Sequence, residues 1–188
     1  MAVYSNEVSV RRRRLPHWEM EGGNYFVTFR LAGSIPADVL EQAKAEADGK
    51  LTPAARKQHL RRWLEQYLDQ DREALLRNPQ CAQVVQDCLL FWHTKRYRLI
   101  AWCVMPNHVH VVMRVLPTSS LEAITHTWKS FTAHEINTLL GQGGAVWQRE
   151  YFDRLLRNEE ELAKTVRYVL NNPVKAGLRD WKFVGEVK

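Results

Sequence analysis

Two histidines separated by one residue, His108 and His110, are the clearest candidates for chemistry in this sequence. Pro106 and Asn107 before them predict a turn, and the alternating β-branched residues that follow predict a strand. Because residues i and i+2 of a strand point to the same face, the two imidazoles would stand side by side and could hold one divalent metal ion. Two hydrogen-bonded histidines on a half-buried strand would give the same pattern, so the spacing alone leaves both interpretations open.

A tyrosine and an asparagine in the last predicted helix are the next candidates. Asn158 is expected to cap this helix, and Asn172 before Pro173 is expected to end it. Tyr168 points away from the apolar stripe of the helix, and Asn172, four residues later, shares its face. An exposed surface tyrosine is the alternative. The stripe consists of Leu162, Val166, Val169 and Leu170.

These four residues together fit phosphodiester chemistry. His108 and His110 would supply two nitrogen ligands and the amide oxygen of Asn172 a third, which leaves positions for water or a phosphate oxygen. Such a mixed set admits Mg²⁺ or Mn²⁺. Tyr168 would attack phosphorus to give a covalent phosphotyrosine, which keeps the energy of the broken ester and needs no ATP. Tyr151 is a rival nucleophile, although its place in a predicted strand favours a structural role.

The order of the predicted elements gives an α+β fold. It fits a ferredoxin-like antiparallel sheet with helices packed on one face and an extra helical insertion, residues 37–78, after the first strand. We expect a single domain over residues 1–188, with a basic N-terminal arm over residues 1–20. Strands are predicted in four places: Tyr25–Leu31, Arg98–Val104, His108–Val115 and Val146–Tyr151.

Composition limits the class of protein. The net charge of +6 over 188 residues favours a polyanionic partner such as nucleic acid. The three cysteines, Cys81, Cys88 and Cys103, are expected to be buried thiols in a reducing compartment. Without a signal peptide pattern or a membrane-length apolar run, the chain is expected to be soluble and cytoplasmic, without a membrane partner. Basic candidates for DNA contact are Arg11, Arg12, Arg13, Arg14, Arg30, Arg114, Lys129 and Arg154.

Two segments resemble the paired motifs of the single-tyrosine HUH transposases. Cys103–His110 is similar to the HUH signature, in which a bulky apolar residue separates two histidines. Tyr168–Val174 is similar to the helix that carries the catalytic tyrosine, in the form found in REP-associated tyrosine transposases. The resemblance extends over Arg12–Gly177 and includes the segments that begin at Leu15, Tyr25, Trp128 and Trp147.

This resemblance implies an RRM-like sheet and a metal-dependent enzyme that acts on single-stranded DNA near REP hairpins. Cleavage would leave a 5′-phosphotyrosine and a free 3′-OH, and religation would complete strand transfer. His108 and His110 would be metal ligands and Tyr168 the nucleophile. Asn172 lies where the family places a third ligand, a position that holds Gln in some relatives. A monomer and a homodimer both remain open.

Two other functions remain open at this point. A non-catalytic nucleic-acid-binding module would stack bases on exposed aromatic residues of an RRM-like sheet. The outer face of the third predicted strand has no aromatic residue, since it carries His108, His110, Val112 and Arg114. A metal-dependent nuclease that uses water would leave free 5′-phosphate ends and no protein–DNA adduct.

Overall fold

The computed structural model describes residues 9–12, 16–20, 22–48, 52, 55–56, 58–60, 63, 67–68 and 74–187. The strands are β1 (Ser9–Arg12), β2 (Pro16–Glu19), β3 (Asn24–Arg30), β4 (Tyr97–Val104), β5 (His108–Val115), β6 (Phe152–Leu156) and β7 (Val184–Glu186). The α-helices with defined bounds are α1 (Ala37–Ala47), α2 (Pro79–Phe91), α3 (Leu121–Leu140) and α4 (Glu159–Lys175). A short 3₁₀ helix spans Leu75–Arg77.

A five-stranded antiparallel sheet with the order β6-β3-β5-β4-β7 forms the centre of the fold. The strands β3 to β6 and their crossover helices give the predicted split β-α-β, ferredoxin-like arrangement, and β7 extends it beside β4. This confirms the predicted α+β class. The β4–β5 hairpin also has the predicted turn, which is closed by a hydrogen bond of 2.8 Å from Met105 N to His108 O.

One face of the sheet, which we call the apolar side, packs against α2 and α3. Val109, Val111 and Met113 alternate along β5 and point into this core, as the period of two predicts. Asn78 caps α2 by accepting a hydrogen bond from Gln80 N. The core includes Cys81 and Cys88, and Cys103 is also buried, so all three cysteines are buried as predicted.

The last helix corrects one part of the predicted fold, because it does not lie on the same face as α2 and α3. It covers the opposite face, which carries both histidines and which we call the histidine side. The middle of this face is also apolar, and an apolar sheet surface needs a covering layer. Its residues are Phe26, Ala101, Cys103 and Val112.

Two predicted boundaries are also wrong. The strand predicted over Val146–Tyr151 is absent from that segment, where Trp147 forms only an isolated bridge with Leu31, and β6 begins at Phe152 instead. The last helix continues through Pro173 to Lys175, and Gly177 follows it with a φ of +70°. Proline tolerates a helical φ, and because it has no backbone N–H it removes one i to i−4 hydrogen bond near the C-terminal end of this helix.

The basic arm and the helical insertion are described only in part. Arg11 and Arg12 lie in β1, which pairs with β2 in a separate two-stranded sheet, and Arg13 and Arg14 lie outside the described residues. The insertion contains α1 and ends just before α2. Between these two helices, the described residues from 55 to 68 are helical, and the other residues from 55 to 68 lie outside the described residues. Where the structure describes the chain, no helix has the length and apolar character needed to cross a bilayer.

Candidate active site

The two histidines lie side by side in β5 on the histidine side. Both are 2% exposed, and 3.0 Å separates His108 Nε2 from His110 Nε2. Two nitrogen ligands about 2.1 Å from one ion and at right angles to each other are separated by about 3.0 Å. The spacing of the pair fits two ligands of one divalent ion, and it equally fits a hydrogen bond between the two imidazoles.

Among the described residues, no group of three or more His, Cys, Asp or Glu side chains could hold a metal ion. A site built from the described residues would depend on two imidazoles, an amide oxygen, and water or a phosphate oxygen from the substrate. That donor set leaves positions open, as a catalytic ion requires.

The other nitrogen of each imidazole contacts a polar side chain. Asn107 Oδ1 lies 2.7 Å from His108 Nδ1, and Thr28 Oγ1 lies 2.9 Å from His110 Nδ1. Metal-binding histidines usually make such a second hydrogen bond, which orients the ring. The surroundings of the pair therefore also fit a metal centre.

Burial keeps His108 neutral. It lowers the pKa of His108 to about 3, and the nearby Arg30 cation acts in the same direction. Arg30 is the cross-strand partner of His108, and its Nε donates to the side-chain oxygen of Gln148. Burial also lowers the pKa of Arg30 from its usual value. A neutral imidazole beside a fixed cation can bind a metal ion and place a phosphate at the same time.

Helix α4 places Tyr168 against the histidines. The Tyr168 ring centroid lies 5.5 Å from that of His110 and 5.9 Å from that of Phe26, both with edge-to-face geometry. Lys175, one of the residues that sequence analysis missed, has its Nζ 5.3 Å from the Tyr168 ring centroid. Tyr168 is thus part of the packed face of the helix, and the expectation that it points away from the core is wrong.

The reason is that the buried face of α4 coincides only in part with the apolar stripe. The residues that are most buried there include Thr165, Val169 and Asn172, so the covered face is rotated from the Leu162 stripe toward Tyr168. Asn172 is 6% exposed and lies three residues after Val169, on the same face of the helix. The structure thus brings Tyr168 to the histidines and buries Asn172 on the helix that covers them.

The predicted DNA contacts divide between the two sides of the sheet. Arg30 and Arg154 lie on the histidine side, where Arg154 donates a 2.8 Å hydrogen bond to Thr165 Oγ1 of α4. Arg114 is exposed near the other end of β5 and donates to Gly22 O. Lys129 lies on α3, on the apolar side, where it donates to Arg149 O and burial lowers its pKa.

The rival nucleophile also lies on the apolar side. Tyr151 is half-buried and packs against the core that α2 and α3 cover, so the structure does not bring it to the histidines. The contact residues that sequence analysis missed are Thr28, Asn107, Gln148 and Lys175. Of these four, only Thr28 could have been suspected from the sequence, because it lies on the same face of its strand as Arg30, a predicted DNA contact.

Comparisons with known proteins agree with the motifs. The family profile described as Transposase IS200 like matches residues 55–172, more than half of the chain. The chain belongs to the IS200-like transposase family. This segment contains His108, His110, Tyr168 and Asn172, and the family confirms the resemblance seen in the sequence.

Two relatives connect the chain with REP-associated tyrosine transposases. A Haemophilus influenzae protein provisionally named as one is 25% identical over 101 residues, which cover 46% of this chain and 57% of that protein. The match therefore spans little more than half the length of this curated relative. A solved REP-associated tyrosine transposase, described as bound to a REP hairpin, superposes with a TM-score of 0.58 at 19% identity, over 94% of this chain and 81% of that one. At this identity the likeness shows the shared fold.

Proposed function

We propose that this chain is a transposase that cuts and rejoins single-stranded DNA beside REP-type hairpins through a covalent bond to Tyr168. The family supports a transposase, and the relative solved with a REP hairpin supports this class of substrate. The observation that carries the chemistry is the packing of Tyr168 against His110, 5.5 Å between ring centroids, on the face that holds both imidazoles.

The reaction would be a reversible transesterification. Tyr168 gives up its phenolic proton, and its oxygen forms a bond to phosphorus while the bond from phosphorus to the 3′ oxygen breaks. The released 3′ oxygen takes up a proton, and the 5′ end remains on the enzyme as a phosphotyrosine. Attack by a 3′-OH on this phosphotyrosine then restores Tyr168 and completes strand transfer.

His108 and His110 would hold a divalent ion, Mg²⁺ or Mn²⁺, through their Nε2 atoms, and Asn172 would be the third ligand. When bound, such an ion withdraws negative charge from the scissile phosphate. Arg30 is a second source of positive charge at this place, because Gln148 holds its side chain beside His108. Arg154 on β6 would bind a flanking phosphate of the strand.

The binding-module alternative has little support on this side of the sheet. Base stacking on an RRM-like sheet needs exposed aromatic rings. Phe26, the aromatic residue beside His110, is 3% exposed because α4 covers it with Tyr168. The sheet surface beside the histidines is therefore suited to a covered reaction centre and not to an open stacking platform.

The decisive experiment compares Tyr168→Phe with wild type on a single-stranded REP hairpin oligonucleotide labelled at its 3′ end, in Mn²⁺. The wild type should give a labelled protein–DNA adduct that survives denaturing electrophoresis, because the 3′ fragment is the one that stays on the enzyme. Tyr168→Phe should bind the oligonucleotide with unchanged affinity and form no adduct.

Tyr151→Phe is the matched control, since it removes one hydroxyl from a tyrosine on the apolar side, and it should keep the adduct. An adduct that persists in Tyr168→Phe and is lost in Tyr151→Phe would contradict the assignment. Cleavage by wild type to free 5′-phosphate ends without an adduct would favour the hydrolytic nuclease. Binding without cleavage, unaffected by EDTA, would favour the binding module.

A further inference from the structure

The turn between β4 and β5 is fixed from outside the sheet by the helical insertion. Asn107 is completely buried, and its Nδ2 donates a 2.7 Å hydrogen bond to the backbone oxygen of Leu68, 39 residues earlier. The neighbouring Pro106 oxygen accepts a 2.9 Å hydrogen bond from Leu76 N. Leu31 N donates to the backbone oxygen of Asn107 at 2.9 Å. The turn before the first histidine is thus held on both its backbone and its side chain.

These contacts determine which way the Asn107 amide faces. A backbone carbonyl can only accept a hydrogen bond, so the amide nitrogen of Asn107 must face Leu68. The amide oxygen then faces His108 Nδ1 at 2.7 Å, and this oxygen too can only accept. Nδ1 of His108 must therefore carry a hydrogen. A neutral imidazole has one N–H, so Nε2 of His108 presents its lone pair toward His110 Nε2.

The second histidine has a different kind of partner. Thr28 Oγ1 faces His110 Nδ1 at 2.9 Å, and a hydroxyl can either donate or accept by rotating. His110 can consequently take either tautomer without losing this hydrogen bond. The two imidazoles thus differ: Asn107 determines the tautomer of His108, whereas Thr28 can pair with either tautomer of His110, whose Nε2 can donate to His108 Nε2 or present its own lone pair to a shared ion.

We infer that Asn107 is a positioning residue which, anchored on the Leu68 carbonyl of the helical insertion, holds His108 in the Nδ1–H tautomer with Nε2 as its metal-binding atom. The metal-binding part of this inference rests on the proposed function, whereas the tautomer does not. The inference also gives the helical insertion a role. Leu68 of the insertion holds the Asn107 side chain, and Asn107 in turn orients the His108 ring.

The test measures tautomer and metal affinity separately, and neither measurement uses DNA. Ring ¹⁵N chemical shifts of the metal-free protein should show wild-type His108 with a protonated Nδ1 and an unprotonated Nε2. Asn107→Leu, which has neither donor nor acceptor, should show a mixture of tautomers. By calorimetry it should bind Mn²⁺ about 10- to 100-fold more weakly, the usual effect of losing such a supporting hydrogen bond.

Two variants control for a merely structural effect. Asn107→Asp keeps an oxygen toward His108 but loses the donor to Leu68 O, so it should keep the Nδ1–H tautomer and measure what the anchor on the insertion adds to Mn²⁺ affinity. Thr28→Val removes the partner of His110 and should leave the tautomer of His108 unchanged. If Asn107→Leu does not fold, the tautomer of His108 in wild type still decides, because it needs no variant.

An Nε2–H tautomer of His108 in wild type would overturn the inference. Folded Asn107→Leu with the wild-type tautomer and wild-type Mn²⁺ affinity would overturn it as well. If wild type binds no Mn²⁺ but shows the Nδ1–H tautomer, the metal part of the proposed function fails and the positioning role of Asn107 stands.

Discussion

The two sides of the central sheet bury polar groups in different ways. On the apolar side these groups form chains that end on backbone carbonyls. Trp147 Nε1 donates to Thr132 Oγ1, which donates to Trp128 O. Likewise Trp128 Nε1 donates to the Tyr97 hydroxyl, which donates to Leu89 O. Burial also raises the pKa of Tyr97, so this group remains a neutral donor.

On the histidine side such chains are also present, from Arg154 through Thr165 to Glu161 O and from His108 through Asn107 to Leu68 O, but here two imidazoles also face each other. Asn107 constrains His108 so that its Nε2 lone pair faces His110 Nε2 at 3.0 Å, an arrangement that a shared cation would stabilise. The hydroxyls and indoles of the apolar side are hydrogen-bonded within a packed core, whereas two imidazole nitrogens converge on the histidine side. The difference teaches that burial of polar groups alone does not mark a site, and that the convergence of two metal-binding groups is what supports the proposed one.

The largest expected effect is on the apolar side, for Trp128→Ala. This residue is 1% exposed and packs against Phe29 and Tyr97, so the variant should be destabilised by about 3–5 kcal/mol in urea denaturation. Phe131→Ala, on the same helix but 49% exposed, is the control and should cost about 0.5 kcal/mol. Equal losses for the two variants would show that this core does not dominate stability.

A smaller loss is expected for Thr132→Val, which keeps the size of the side chain but removes its hydroxyl. Trp147 Nε1 would lose its buried acceptor, and an unsatisfied buried donor costs about 1–3 kcal/mol. The free energy of unfolding measures this loss, and Thr132→Ser, which keeps the hydroxyl, should retain more of the stability. Mn²⁺ affinity of the folded variant should not change, and a change would contradict the separation of the two sides.

The smallest effect on stability is expected on the histidine side, for the double variant Thr28→Val/His110→Phe. Replacing both partners of the Thr28–His110 hydrogen bond by apolar groups of similar shape costs little, and the loss of the contact between His110 Nε2 and His108 Nε2 should bring the cost to about 1 kcal/mol. Phe26 stacks on His110 with 5.4 Å between centroids, so an aromatic ring fits there. The same variant should lose measurable Mn²⁺ binding in calorimetry. A large loss of stability would indicate that this pair is structural.

Strands in which polar and apolar residues alternate are predicted correctly from the sequence. The orientation of an element that buries polar side chains is not. Alternation along β5 predicts its observed bounds, His108–Val115, because each face meets a different layer. The orientation of α4 is not predicted correctly, because Thr165 and Asn172 lie on its buried face while apolar periodicity points elsewhere.

The candidate site follows the same rule. The pairing of His108 with His110 can be predicted from their spacing, since it depends only on the geometry of one strand. The role of Asn107 cannot, because it depends on a carbonyl 39 residues away, and the sequence alone indicates only a turn at this position. Contacts between distant segments need the fold before they can be seen.

The short strand β7 has a consequence for how the folded chain meets other copies of itself. An uncovered outer strand offers a row of backbone donors and acceptors that can recruit a strand from another molecule. Here Phe183 O accepts a hydrogen bond from Val104 N at 2.8 Å, and Val187 N donates to Ile100 O at 2.9 Å. These backbone groups of β4 are therefore already hydrogen-bonded within the chain. Gly185 lies so close to the Trp102 ring that a Cβ there would be 2.7 Å from it. The outer edge at this margin is therefore β7, which has only three residues, and such a short edge strand offers few backbone groups for edge-to-edge aggregation.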